Sequence, residues 1–193
     1  FPSGAVLGDG GSADPELLFP GSSGGTVPSR TVTVGGNLEL ENTGSRIRIN
    51  SSGSNAARHN LIVSGNISDD SDDTDGGIDI FENTDGVLLS MQGGNSSTFS
   101  RSNTNASTVP DLYRLILEKE ELSDTLLINT DITLPLPSEI SSQTVELVNG
   151  YLILNNGDID ITLTDAARGD FLLPNTNNSN SSSGSGGLEV QSG

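Results

Sequence analysis

VGGNLELE (34–41), VSGNIS (63–68) and VNGYLIL (148–154) are one phrase repeated, V-x-G-[N/Y]-[L/I] leading into further short apolar runs. Gly36 and Gly65 define a step of about 29 residues, within the range of repeat architectures. Gly150 stands close to three such steps beyond Gly65. Gly94-Asn95 falls one step after Gly65, whereas Leu122-Ser123 occupies the place where the following copy is due. Between these phrases lie TVTV (31–34), RIRIN (46–50), NLIV (60–63), IDIF (78–81), VLLSM (87–91), YRLILE (113–118), TLLI (125–128), ITL (132–134), TVELV (144–148) and IDITL (159–163). Most alternate with period 2 and are bounded by Gly, Asn, Asp or Ser, the pattern of short half-buried strands. The one helix-tolerant stretch, Leu112 to Leu122, still alternates at Tyr113, Leu115 and Leu117 and reads as a strand followed by a turn.

A repeat of this length, with several strands in each period, is what a coil of a β-solenoid needs. The predicted fold is all-β: a right-handed parallel β-solenoid (β-helix) of roughly four to five coils over residues 30–174. An antiparallel β-sandwich serving as a filament subunit remains the alternative. Residues 1–29, broken by Pro2, Pro15, Pro20 and Pro28, read as a Gly/Pro-rich lead-in or linker with one apolar patch at Glu16 to Phe19. Residues 175–193 are dominated by Asn, Ser and Gly and read as a linker or a long exposed loop. The opening at Phe1, with Met91 the single methionine, reads as a processed chain or an excised fragment.

Composition agrees with a thin core. The 193 residues include 24 Gly, 28 Ser and 18 Asn, and only 32% are hydrophobic and 4% aromatic. A thick helical core is therefore not expected. The formal net charge of −18 repels phosphate, which argues against a nucleic-acid partner. No apolar run approaches the roughly 18 residues of a membrane-spanning helix. Cysteine is absent, which removes disulfides and thiolate chemistry together. Acidic, nearly lysine-free composition suits an extracellular or cell-surface setting.

The densest chemical feature is DDSDDTDGGIDIFE (69–82). Counted from Ser71, it places Asp73 and Asp75 at positions 3 and 5, Gly76 at 6, apolar Ile78 at 8 and Glu82 at 12, the layout of a calcium loop. A hard dication takes six to eight oxygens, and alternate carboxylates supply them. No helices flank the loop, so the expectation is an isolated calcium loop with Ser71, Asp73, Asp75 and Glu82 as ligands. Asp79, pointing opposite to Ile78 on a strand, is the reserve ligand. The plain alternative is a solvated acidic loop.

Catalytic signals are sparse. His59, the sole histidine, reads as an ordinary residue of the loop Asn55–Asn60, and there is no G-x-S-x-G elbow. Asp158 and Asp160 share a strand face, and Arg46 and Arg48 are the only bases paired on one strand. They are the groups on which a carbohydrate-active β-helix enzyme, a polysaccharide lyase or glycosidase, would have to draw.

The stretch YRLILEKEELSDTLLINTDITLPLPSEISSQTVELVNGYLILNNGDIDITL (113–163) resembles the repeats of very large surface proteins of Bacteroidota, gliding-type adhesins among them, that are exported by type IX secretion. The family phrase Y-x-L-x-[I/L]-x-K is matched by Tyr113, Leu115, Leu117 and Lys119. T-L-x-[I/L]-N-T-D-[I/L]-T is matched from Thr125 to Thr133, and V-x-x-G-x-L-x-L-N by Gly150, Leu152, Leu154 and Asn155. Asp124-Thr125-Leu126 is similar to the D-[S/T]-aliphatic O-glycosylation site of the same bacteria. The resemblance implies an extracellular filament or adhesin stalk and transfers no catalytic residue. The expected function is thus a non-catalytic structural or adhesive segment. Its expected partners are neighbouring domains or identical subunits that continue the stack, and surface glycans.

Overall fold

The computed structural model describes residues 1–8, 15–22, 25–41, 44–50, 56–71, 76–82, 84–102, 109–134, 145–155, 172–174 and 187–191. The chain winds through β1 (Ala5–Leu7), β2 (Glu16–Pro20) and β3 (Thr31–Val34), then β4 (Leu38–Leu40), β5 (Arg46–Asn50) and β6 (Arg58–Val63). The next coil holds β7 (Ile67–Asp69), β8 (Gly77–Asp79), β9 (Phe81–Glu82) and β10 (Asp85–Met91). There follow β11 (Ser97–Arg101), β12 (Arg114–Glu118), β13 (Thr125–Asn129), β14 (Val145–Asn149), β15 (Tyr151–Asn155), β16 (Leu172–Pro174) and β17 (Gly187–Gln191).

Each coil adds strands to the sheets, and the strands stack in parallel. One sheet runs β1-β4-β7-β11-β13-β15-β17, a second β16-β14-β12-β10-β6-β3, and a third β2-β5-β8. The third sheet is prolonged by single parallel bridges from Asp79 to Asp111 and from Asp111 to Thr133. The molecule is a parallel β-solenoid, and the parallel pairing removes the antiparallel sandwich. Among the described residues there is no helix, hence none long and apolar enough to cross a membrane.

Parallel in-register stacking explains how so few hydrophobic residues make a core. The registers align Leu38, Ile67, Phe99 and Ile128 in one column. A second column aligns Leu61, Leu89, Leu115 and Val145. All eight are at most 1% exposed. A few apolar residues per strand thus suffice, each packing on its equivalents above and below at the interstrand spacing of about 4.8 Å.

The recurring phrase is the corner between the second sheet and the first. A Cβ on Gly65 would stand 2.6 Å from Asn37 Oδ1 and 2.7 Å from the Gly36 carbonyl carbon, so only glycine lets the two corners stack. The asparagines that follow pin successive corners: Asn66 N donates to Asn37 Oδ1 (3.0 Å), and Thr98 N donates to Asn66 Oδ1 (2.9 Å). Further down, Thr125 N donates to Ser96 Oγ, and Asn149 Nδ2 donates to the Lys119 and Glu120 carbonyls. The copy missing from the sequence is therefore present in space as Lys119–Asp124, built from other residues. The step shortens there, Leu126 pairing with Leu152 where the regular repeat would bring it to Asn155.

Two expectations on boundaries are corrected. The lead-in before residue 30 supplies β1 and β2, which pair with β4 and β5, and β17 lies beyond residue 174. IDIF (78–81) is not one strand. It breaks at the fully buried Ile80, after which β9 turns back antiparallel against β10. That is the sole antiparallel pairing among the described residues.

Candidate functional site

The acidic run divides between the inside and the outside of the coil. Asp69, on the inward side of β7, is fully buried, and Ser71 donates to its Oδ1 from both N (3.2 Å) and Oγ (2.5 Å). The buried Arg101 guanidinium lies 3.9 Å from Asp69 Oδ2. Burial pushes the Asp69 carboxyl above its ordinary value of 3.8, and the Ser71 and Arg101 contacts oppose it only in part. Ser71 is itself fully buried and committed to Asp69. Asp79 points outward, opposite to the buried Ile78, as expected from strand alternation. Desolvation, aided by the neighbouring Glu82, raises the Asp79 carboxyl too, while Arg48 works against the rise.

Of the five expected calcium ligands, then, Asp79 and Glu82 share the outer surface, and the Ser71 hydroxyl faces the interior. Asp73 and Asp75 lie outside the described residues. Among the described residues no three Asp, Glu or His side chains converge on a point that could hold a metal. Asp158 and Asp160 also lie outside the described residues. Arg46 and Arg48 both engage Glu16 of the preceding coil through Nε, Arg46 at 3.1 Å.

The interior holds polar groups that alternation does not announce. His59 is not in a loop: it lies within β6, faces inward and is 1% exposed. Its Nδ1 accepts from Arg30 N at 3.0 Å, so its Nε2 donates to the Pro20 carbonyl at 2.7 Å, the pattern of a neutral ring. Its ring packs on Phe19, with centroids 5.5 Å apart. Asp85, fully buried, reaches back across two coils, accepting from Ser22 N (2.8 Å), Ser22 Oγ and Ala57 N. Lys119, the chain's single lysine, is 3% exposed, and its Nζ donates to the Gln92 carbonyl (2.9 Å) and Ser97 Oγ (2.8 Å). Burial holds the Lys119 amine below its ordinary 10.5, with Asp124 acting the other way.

These groups are distributed one knot to a corner: Asp69 with Ser71, Asp85 with Ser22, Lys119 with Ser97. Each gathers backbone or side-chain groups near the ends of strands, which is the task of a buried polar group that must find partners there. On the outer face, Tyr113 folds back over Gly86 and meets the Arg58 guanidinium at 4.5 Å and the Phe81 ring at 5.9 Å. The Arg58 guanidinium also donates to the Ala57 and Thr84 carbonyls. Comparison of the chain with protein-family models, with curated proteins and with solved structures returns no match.

Proposed function

We propose that the chain is a non-catalytic structural or adhesive segment of an extracellular bacterial surface protein or filament, of the kind that type IX secretion exports. The observation that carries this reading is the stack of parallel coils, in which length grows by about one strand spacing per coil and each coil needs only its neighbours. Such a body gives reach. The buried Asp69, Asp85 and Lys119 are tied into corners, as a scaffold requires, and the strongly acidic composition suits exposure outside the cell. Surface glycans are the proposed adhesive ligands, and calcium at the acidic loop is the proposed ion.

The test is surface shaving. Brief protease treatment of intact cells that make the protein should remove it while leaving cytoplasmic markers whole. Retention of the full chain inside shaved cells would refute the reading. A second reading, a carbohydrate-active enzyme, draws on the outer face of the third sheet. There Arg48 is in register with Asp79, whose carboxyl is raised. Release of reducing or unsaturated sugar ends from polysaccharides, abolished by Asp79→Asn, would favour it over the first.

A further inference from the structure

The link from β2 to β3 is fastened by titratable side chains where a ladder would use its main chain. Among its described residues, Gly21, Ser22 and residues 25–29 make no hydrogen bond from main chain to main chain. His59 takes the two ends of the link instead. Its Nε2 donates to the Pro20 carbonyl at 2.7 Å, and its Nδ1 accepts from Arg30 N at 3.0 Å. Asp85 takes the middle, its Oδ2 accepting from Ser22 N at 2.8 Å and from Ser22 Oγ at 3.2 Å. Ser22, His59 and Asp85 are all at most 1% exposed. The ladder of β3 begins only at the Arg30 carbonyl, which accepts from Asn60 N.

Both contacts of the ring require it to be neutral. A neutral imidazole offers one donor and one acceptor, whereas a protonated one offers two donors. Protonated in place, the ring would turn an Nδ1–H against the Arg30 N–H and set a charge in the interior, which is costly without a partner. The elements around it supply little compensation. β2 turns Glu16 outward to Arg46 and Arg48 of β5, and β6 carries Arg58 on its less buried face. The side chain of Arg30 is exposed and cationic. β10 brings Val87 into register with the ring, and its buried Asp85 directs its oxygens to Ser22 and Ala57.

We infer that His59 is an acid-released latch: the neutral ring holds Arg30 at the start of β3, and proton uptake at Nδ1 lets that end of the link go while Asp85 keeps Ser22 tethered. The sign follows from the geometry. The closed link excludes a proton that the open link binds, so it is secure above the range in which histidine titrates and loosens as pH falls through it. One proton taken up on opening raises the opening equilibrium by about tenfold per pH unit. Histidine changes charge between about pH 5 and pH 8, so mild acid is enough. Opening gives water access to Phe19, whose ring packs on His59 and is otherwise 2% exposed. The latch works under either reading of the function.

The experiment follows the Arg30 amide by hydrogen exchange in the purified 193-residue chain between about pH 8 and about pH 5, with protection referred at each pH to the unfolded chain. Protection of that amide should fall by up to about tenfold per pH unit, while the amides of Leu115 to Leu117 in β12 keep theirs. His59 is the chain's single histidine, so its nitrogen NMR resonances report tautomer and proton uptake without ambiguity. They should show the Nε2–H form at the upper pH, and proton uptake should share its midpoint with the loss of protection. His59→Gln offers an acceptor and a donor that do not titrate, and should hold Arg30 at both ends of the range. Constant protection in the wild type, an Nδ1–H tautomer at the upper pH, or the same acid loss in folded His59→Gln would each overturn the inference. Should the Gln variant fail to fold, the two wild-type midpoints decide, and separate midpoints overturn it.

Discussion

Gly86 owes its identity to Tyr113. A Cβ there would lie 2.2 Å from Tyr113 Cγ and 2.4 Å from Cδ2, and the ring is held by Arg58 on the preceding coil and by Phe81. Gly86→Ala should therefore destabilise the fold by about 1–3 kcal/mol, the cost of overpacking. In a Tyr113→Ala background the same change should cost much less, and denaturant unfolding of the four variants checks this coupling. Asp69 makes a prediction about pH. Its folded pKa lies above 3.8, so between that value and the folded pKa the native state holds a proton that the unfolded chain has released. Stability must fall as pH rises through that window and recover on acidification. Asp79 acts in the same direction. Asp69→Asn should flatten the slope of melting temperature against pH just above 3.8, and an unchanged slope would assign the effect elsewhere.

At the scale of elements, the sequence is most transparent where one residue type does one job. β3 and β5 begin and end at the residues their alternation marks, because TVTV and RIRIN put aliphatic groups on the inner face alone. β7 and β11 escape notice because inward positions carry Asp69 and Ser97, polar residues that break the alternation. His59 is misread for the same reason: whether a polar side chain is buried depends on partners such as Pro20 and Arg30, a coil or more earlier in the chain. β1 and β2 hide behind prolines and glycines that signal loops in most folds but are simply the corners of a coil here. The acidic run was legible as a carboxylate cluster. That Asp69 and Ser71 leave it for the interior follows from register, which no local pattern encodes. The calcium expectation yields a measurement. At millimolar calcium, binding to the folded state alone should raise stability by about 0.4–1.4 kcal/mol for an extracellular-type affinity. Scanning calorimetry should show that gain, Asp73→Ala with Asp75→Ala should remove it, and indifference of the melting curve to chelator would rule the ion out.

For the molecule as a whole, the register has a mechanical meaning. Leu38 pairs with Ile67, and Val32 with Leu61, each with the residue one full repeat further along the chain. Those contacts are the same kind of contact repeated, so a force applied to the two ends loads the outermost coil first. Peeling it disturbs the next little, since the strands pair between adjacent coils, although Asp85 also holds Ser22 two coils away. Each rupture frees about 29 residues, or about 100 Å of contour at roughly 3.3–3.6 Å per residue. Single-molecule stretching should record a sawtooth of near-equal steps rather than one cooperative event. A single large extension would show that the corner knots of Asp85, Asp69 and Lys119 bind several coils into one mechanical unit. A stack of coils built this way would dissipate work in instalments, lengthening under load while its remaining coils stay folded.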